Sequence, residues 1–522
     1  MSAEQSEAYY QSGCALRDTR RFDEALVDFD QAITLEPDYA EAHNGRGIVL
    51  ANLNRIDEAL AAFERAIALK PDYAEAHNNR ALVLLDLMRF DEALAGFDTT
   101  ITLKPDNAMA HNNRGAALQD LGRLDEALLS FEKAIALKPD YAQAHYNSGL
   151  ALQDLQRLDA ALANLDQAIV LKPDYAQAHH NRAAVLQDQK RLDEAIAAYD
   201  RALALMPGYA EAYTNQAYCY LQKGDFERGW RLHEWRKQLE TPVGNRWFAQ
   251  PLWLGGEDIA NKTLFVHCEQ GLGDTIQFCR YAKVLKARGA HVVMSVQEPL
   301  YRLLQHMDTG VQIINADQIP AAFDLHCPLM SLPLALGTTL ETIPSEQRYI
   351  FADAQLRDAW AARLPPPTKP RVGLVWSGSL KHRNDRLRSI DPSALAPLLS
   401  LEAHWISLQW ELRPGDAAQL AELGQLVSYG DDLRDFSDTA AVIDVLDLVI
   451  TVDTSVAHLA GAMGKPVWIL LPFNSDWRWL LDRDESPWYR NARLFRQQQF
   501  GSWASVIASV HDALDAFIGT RP

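Results

Sequence analysis

The sequence is poor in cysteine, in basic residues and in long apolar runs. Its five cysteines, among 522 residues, form no Cys-x-x-Cys pair, which argues against a disulfide scaffold and predicts a cytoplasmic protein. Acidic residues outnumber basic ones by 69 to 50, so neither a nucleic-acid partner nor an anionic membrane is expected. No apolar run reaches the roughly 18 residues of a membrane span. The first ten residues lack a signal-peptide pattern, so we expect no leader.

A unit of 34 residues recurs through the first 209 residues. Each unit carries a small residue, a second small residue twelve positions later, a large apolar residue four positions after that, and a closing proline. The large apolar residues are Phe29, Phe63, Phe97, Phe131, Leu165 and Tyr199, and the prolines are Pro37, Pro71, Pro105, Pro139, Pro173 and Pro207. Small residues let two antiparallel helices approach, the large residue fills the space between them, and proline ends the second helix.

This pattern resembles the tetratricopeptide repeat in its period and in the order of its columns. The resemblance implies an all-α TPR superhelical solenoid over residues 1–239. Six full repeats cover residues 6–209, and an irregular capping repeat follows from 210 to about 235. In such a stack the first helix of each repeat lines the concave side.

Two polar columns recur with the same period. The asparagines are Asn79, Asn113, Asn147, Asn181 and Asn215, and the aspartates are Asp86, Asp120, Asp154 and Asp188. Within one repeat the two lie seven residues apart, close to two helical turns, and so share one helix face. An amide both donates and accepts, which suits the backbone of an extended peptide. We favour a groove that binds a protein or peptide acceptor; the alternative is a polar face that only meets solvent.

A histidine column also recurs every 34 residues. Its members are His43, His77, His111, His145 and His179. Equivalent positions of stacked helices lie roughly 8–10 Å apart or more, whereas zinc ligands sit about 2 Å from one shared ion. We therefore expect helix-packing positions and no metal site.

From Pro251 onward, short β-branched runs alternate with helical stretches, which is typical of parallel α/β units. Strands are expected at 263–267, 291–296, 311–314, 371–376, 404–408, 448–451 and 467–471. We expect two Rossmann-like lobes, an N-terminal one at 240–365 and a C-terminal one at 366–522, with a proline-rich link at 364–370. Ligands bind such sheets at the carboxyl ends of the strands.

Three segments follow predicted strands and carry candidate binding groups. They are a Gly-Leu-Gly-Asp turn at 271–274, a Trp-Ser-Gly-Ser turn at 376–379 followed by a basic run, and the segment 452–466. In the last, Thr454 or Ser455 can cap a helix whose first N–H groups would meet a pyrophosphate. The predicted donor-binding residues are Gly271, Gly273, Ser377, Gly378, Lys381, Gln409, Asp453, Thr454, Ser455 and His458.

The Gly-Leu-Gly-Asp turn and the Asp-Thr-x-x-x-His-Leu-Ala helix resemble those of the bacterial heptosyltransferase family, which has the GT-B fold. The layout of repeats followed by such a module resembles O-linked N-acetylglucosamine transferase and bacterial flagellin glycosyltransferases. The resemblance implies an enzyme that moves a sugar from a nucleotide-sugar donor to a protein acceptor. Asp274 would take the place of the catalytic base, and Asp453, Thr454 and His458 would take donor-site places. Asp482 and Asp484 form an Asp-x-Asp pair, but it falls outside any nucleotide-binding turn and is interpreted as an exposed loop, so we expect no metal and no cofactor.

Several alternatives stay open. After the last predicted strand, the segment 471–479 departs from the glycine–threonine turn of heptosyltransferases. Asp274 could serve only as a helix cap, His458 could be a core residue, and Trp477 and Trp479 could pack the lobes together. A binding scaffold with an inactive module, or a heptosyltransferase of the cell envelope, competes with the protein-modifying enzyme.

Overall fold

The computed structural model describes residues 2–239, 246–269, 271–307, 310–380 and 385–520. The chain divides into two compact units, Met1–Pro207 and Gly208–Pro522. The predicted fold class is confirmed, with helical repeats followed by parallel α/β lobes. The domain limits at 239/240 and 365/366 stay predictions. Among the described helices, none combines the length and apolar character that a membrane span needs.

The described part of the first unit consists of paired antiparallel helices. The helices are α1 (Ser2–Asp18), α2 (Phe22–Leu35), α3 (Ala40–Asn52), α4 (Ile56–Leu69), α5 (Ala74–Asp86), α6 (Phe90–Leu103), α7 (Ala108–Asp120), α8 (Leu124–Leu137), α9 (Ala142–Asp154), α10 (Leu158–Leu171), α11 (Ala176–Asp188) and α12 (Leu192–Leu205). The second helices α2, α4, α6, α8 and α10 also pack against the first helix of the next repeat.

The small and large columns pack against each other as the pattern predicted. Phe63 is 1% exposed, and a Cβ atom on Gly47 would lie only 2.6 Å from its ring. Gly115 stands in the same relation to Phe131, at 2.5 Å. The histidine column ties each first helix to the loop before it, because each ring Nε2 lies 3.0–3.1 Å from the carbonyl oxygen of the preceding repeat-ending proline.

The second unit begins with another helical pair and continues as α/β structure. Its helices are α13 (Ala210–Gln222), α14 (Phe226–His233), α15 (Leu272–Phe278), α16 (Tyr281–Ala287), α17 (Glu298–Leu304), α18 (Leu332–Ala335), α19 (Ala354–Arg363), α20 (Asp385–Arg388), α21 (Ala396–Leu399), α22 (Asp416–Leu423), α23 (Phe436–Asp444), α24 (Ser455–Ala462) and α25 (Ala504–Gly519). Short 3-10 helices include Glu234–Gln238 and Trp477–Trp479.

Two parallel sheets form the frame of this unit. The strands are β1 (Thr263–His267), β2 (His291–Val296), β3 (Gln312–Asn315), β4 (Leu325–Pro328), β5 (Arg371–Val375), β6 (His404–Ser407), β7 (Leu426–Ser428), β8 (Leu448–Val452), β9 (Val467–Leu471) and β10 (Ala492–Arg496). The first sheet has the order β3-β2-β1-β4, and the second has the order β10-β9-β8-β5-β6-β7. One apolar core runs from the first sheet to one face of the second, and another covers the second sheet's far face.

The seven expected strands all occur, three of them with the expected limits, whereas β4, β7 and β10 were not anticipated. These three are edge strands with weak β-branched patterns of only three to five residues. Two short helices, α15 and α16, follow the glycine turn. Arg280, the N-cap of α16, turns its guanidinium back to the carbonyl oxygens of Gln277 and Trp488, at 2.8 and 2.9 Å.

Candidate functional site

The predicted donor-binding residues of the second sheet lie at the carboxyl ends of its strands. Its central strands are ordered β9-β8-β5-β6, and all of them are parallel. Ser377 and Gly378 follow β5, Gln409 follows β6, and Asp453 follows β8. The chain order reverses between β5 and β8, which is where a crevice opens in sheets of this kind. The structure therefore brings these segments together at the expected place.

The starts of α15 and α24 pack against each other and join the two lobes. A Cβ atom on Gly273 would lie 2.8 Å from Cδ2 of His458, so the glycine permits the close approach of the two helices. The two predicted glycines have different surroundings, because Gly271 is exposed and caps α15. Gly273 thus has a packing role, independent of any ligand.

Asp274, the predicted base, has both carboxylate oxygens engaged. Its Oδ2 accepts a hydrogen bond from the backbone N–H of Gly271 at 2.9 Å, and its Oδ1 forms an ion pair with Arg478. Burial raises the pKa of Asp274 above its ordinary range, and the positive charge of Arg478 opposes that rise. The helix-cap interpretation is thus realised, and a catalytic role would be additional to it.

Arg478 organises the carboxylates of the site, and sequence reasoning did not single it out. Its Nη1 lies 2.9 Å from Oδ1 of Asp476, its Nε donates to Oε1 of Gln277 at 2.7 Å, and its guanidinium lies over the ring of Trp477. Its side chain is only 10% exposed. The available signal was an arginine between two tryptophans, seven residues after a buried strand, in the segment that departs from the heptosyltransferase pattern.

Asp453 follows β8 and is partly buried. Burial, and next the nearby charge of Asp476, raise the pKa of Asp453 to about 6. Its backbone carbonyl accepts a hydrogen bond from Arg388 Nη1 at 2.8 Å. Thr454 is the N-cap of α24, but its hydroxyl pairs with Thr451 at 3.1 Å and makes no capping hydrogen bond. The first backbone N–H groups of α24 are therefore not covered by the side-chain cap that the sequence suggested.

The turn after β5 lies beside the same arginine. A Cβ atom on Gly378 would lie 2.3 Å from Nη2 of Arg388, so a side chain there would displace the Arg388 guanidinium. The Ser377 backbone N–H donates to Oε1 of Gln409 at 3.2 Å, and the buried Ser377 hydroxyl has no hydrogen-bond partner among the described residues. Lys381, with His382 and Arg383 of the predicted basic run, lies outside the described residues.

His458 and the two tryptophans are packed inside the unit. The His458 Nδ1 atom lies 2.9 Å from the Tyr489 hydroxyl, and its ring stacks on Trp479 with centroids 5.4 Å apart. Burial and nearby arginines lower the pKa of His458 well below its ordinary value. Trp477 meets Trp230 edge to face at 5.2 Å. These contacts favour the packing interpretation for all three residues, and donor contact by His458 stays a prediction.

The asparagine column connects successive first helices. Asn79 donates to Asn44 at 3.0 Å, Asn147 donates to Asn112 at 3.0 Å, and Asn113 and Asn181 make equivalent bonds to Asn78 and Tyr146. The aspartate column is linked similarly, since Gln119 donates to Asp154 and Gln153 to Asp188. Asp86 and Asp120 are exposed at the ends of their helices, and Asn215 is partly buried in α13. Part of each column therefore holds repeats together.

No cluster of three or more His, Cys, Asp or Glu side chains suited to a metal occurs in the ranges that the structure covers. The Asp-x-Asp pair, Asp482 and Asp484, lies in a loop with both side chains exposed. The absence of a metal from the reaction stays a prediction.

Family models match both halves of the sequence. Tetratricopeptide-repeat models match residues 10–74, 49–108 and 174–228, and a TPR-repeat model matches 118–156 and 149–190. The model for glycosyltransferase family 9 (heptosyltransferase) matches residues 434–479. That segment contains β8, α24, β9 and Arg478.

Among curated proteins, the chain is similar to Protein FlbA of Caulobacter vibrioides. The two are 28% identical over 327 residues, which is 58% of this chain and 54% of that protein. The match thus spans about half of that relative's length.

Solved structures are similar to part of the chain. YrrB, described as a TPR protein with an unusual peptide-binding site, is 22% identical and covers 36% of this chain and 97% of its own, with a TM-score of 0.31. PilF of Pseudomonas aeruginosa is 21% identical and covers 41% of this chain and 98% of its own, with a TM-score of 0.38. The family models and the relative lead to one conclusion about layout: the chain joins tetratricopeptide repeats to a module with a glycosyltransferase family 9 segment.

Proposed function

We propose that this protein is a glycosyltransferase that moves a sugar from a nucleotide-activated donor to a protein acceptor recruited by its repeats. The observation that supports this most is the position of Asp274, Asp453 and Asp476 at the carboxyl ends of parallel strands, around one arginine, in and next to the family 9 segment. Such strand ends are where α/β sheets bind ligands.

The donor diphosphate would bind at the start of α24. Its first N–H groups carry no side-chain cap, and Arg388 lies beside them across the β5–β8 crevice. Backbone donors and a helix N-terminus suit an anion. Arg388→Gln is expected to weaken nucleoside-diphosphate binding in calorimetry, whereas Arg386→Gln, the same charge change two residues away, is the matched control. Equal affinities for wild type and both variants would put the diphosphate elsewhere.

The acceptor chain would lie along the first helices of the repeats. Neighbouring first helices are close enough for direct side-chain bonds, and the exposed carboxylates of Asp86 and Asp120 remain as polar contacts. An extended polypeptide exposes backbone groups that such contacts can satisfy. This assignment rests on the repeat geometry, and acceptor pull-down with and without residues 1–207 would test it.

A second candidate is a binding scaffold with an inactive module, or an envelope heptosyltransferase. The observation in favour of the scaffold is that both oxygens of Asp274 are already engaged. A thermal-shift panel of nucleotide sugars separates the cases, because a ligand at 100 times its dissociation constant adds about 2.7 kcal/mol of stability. Donor binding followed by a mass increase of a protein acceptor supports our proposal. No shift favours the scaffold, and transfer to a lipid-linked sugar alone favours the envelope enzyme.

Unchanged activity in chelator would support metal independence, and a cytoplasmic location stays a prediction from the cysteine content.

A further inference from the structure

The helical pair α13–α14 is built into the α/β unit. The Gln222 side chain, 3% exposed, donates to Asn474 Oδ1 at 3.1 Å and to the Ser475 carbonyl at 3.0 Å. Trp230 is 2% exposed and donates to the carbonyl of Thr338 at 3.2 Å. The Gln222 bonds fix one face of α13 against the segment that leads into Arg478, and the Trp230 bond ties α14 to Thr338.

Tyr218 lies on that same face of α13, one helical turn before Gln222. Its ring packs against His233, with centroids 5.7 Å apart, and the side chain is partly exposed. Within the described ranges the Tyr218 hydroxyl has no hydrogen-bond partner, and neither do the two buried ring nitrogens of His233. A polar group beside a charged cluster, held in place but unpaired, is available to a ligand.

We propose that Tyr218 contacts the substrate in the transfer site by hydrogen-bonding an uncharged hydroxyl group, either of the acceptor or of the donor sugar. This inference rests on the proposed transferase function and adds the helical repeats' last pair to the site itself. Tyr218 would be a substrate-contacting residue, and packing against His233 would position its ring.

The surroundings favour a neutral hydroxyl over an anion. Burial, and then the charge of Asp476, raise the pKa of Tyr218 to about 12, so its phenol stays protonated and can both donate and accept. Asp274 and Asp476 both form ion pairs with the same residue, Arg478. An extra negative charge would be repelled there, which leaves the phosphates to the α24 end of the crevice.

The test is Tyr218→Phe in the full chain, with Tyr220→Phe as the matched control. The change keeps the ring contact with His233 and removes one hydroxyl, whereas Tyr220 loses a hydroxyl two positions away, where its ring meets Arg228. Initial rates give kcat and KM for the acceptor, and calorimetry gives Kd for the nucleotide sugar and for the nucleoside diphosphate alone. We expect kcat/KM to fall roughly 3- to 10-fold in Tyr218→Phe, with an unchanged melting temperature and diphosphate Kd.

The arms of the experiment separate the possible results. A weaker nucleotide-sugar Kd with an unchanged diphosphate Kd assigns the contact to the donor sugar, and a lower kcat/KM at constant donor Kd assigns it to the acceptor. Rates within twofold of wild type, or an equal loss in Tyr220→Phe, overturn the Tyr218 inference and leave the transferase proposal standing. Absence of transfer by the wild-type chain with every donor overturns the transferase proposal, and this inference with it.

Discussion

Replacing Asp274 with Asn separates its role as a helix cap from its role as a base. The Asn side-chain oxygen can still accept the Gly271 N–H, but the ion pair with Arg478 is lost. Arg478 keeps Asp476 at 2.9 Å and Gln277 at 2.7 Å, so no unpaired charge is left behind. The loss of this charged hydrogen bond, about 1.5–3 kcal/mol, is offset by relief of the burial cost that raises the pKa of Asp274, so we expect a small net change in stability in a protein that still folds.

Transfer is expected to fall much further than stability. Loss of a general base lowers the rate by about 10²–10⁴, with donor Kd unchanged. Because burial raises the pKa of Asp274, the acidic limb of the wild-type kcat/KM profile should lie at a higher pH than for an ordinary carboxylate. Activity should rise with pH through that limb, since the base must be deprotonated.

The matched control is Asp476→Asn, which also removes a carboxylate from Arg478 but touches neither the cap nor the proposed base. Its transfer rate is expected to stay within about tenfold of wild type, in a protein that also still folds. Initial rates, denaturant unfolding and donor calorimetry on the three proteins decide the matter. Near wild-type transfer by Asp274→Asn, or an equal loss in Asp476→Asn, would refute base catalysis and assign the effect to Arg478 positioning.

Three further predictions follow from packing and charge. Gly273→Ala should destabilise the second unit by about 1–3 kcal/mol because of its 2.8 Å approach to His458, whereas Gly256→Ala, in open space, should cost little; equal melting temperatures would contradict this. Since the folded pKa of Asp453 is about 6, above its ordinary value, its contribution to stability is lost as pH rises from about 4 to 6. The free energy of unfolding of Asp453→Asn, relative to that of wild type, should therefore increase by up to about 3 kcal/mol between those pH values in denaturant unfolding. A difference that does not depend on pH would count against the raised pKa. Replacing three asparagines of the column with Ala should weaken acceptor binding by about 0.5–1.5 kcal/mol for each amide lost, which raises the acceptor KM by one to three orders of magnitude. The three are Asn113, Asn147 and Asn181. A folded variant with unchanged KM would place the acceptor elsewhere.

The repeat array and most strands were readable because their determinants are local. A 34-residue period fixes which residues face each other within and between helical pairs, as the Gly47–Phe63 contact illustrates. Strand ends were likewise readable, which located Asp274 and Asp453. The edge strands β4, β7 and β10 contain a single β-branched residue among them, Val427, and so give little strand signal, and the Arg280 bond to the distant Trp488 carbonyl beside the α15–α16 break has no local signal.

The sequence by itself determined the helical repeats, the two parallel lobes and the positions of the candidate groups at the ends of their strands. Only the tertiary structure decided what those groups touch. Arg478 meets Asp274 across 204 residues, Gln222 meets Ser475 across 253, and His458 fills the space above Gly273. No periodicity encodes such pairs, because they arise when separate elements pack. The sequence pattern therefore located the candidate site, and long-range packing gave Asp274, Arg478 and His458 their partners.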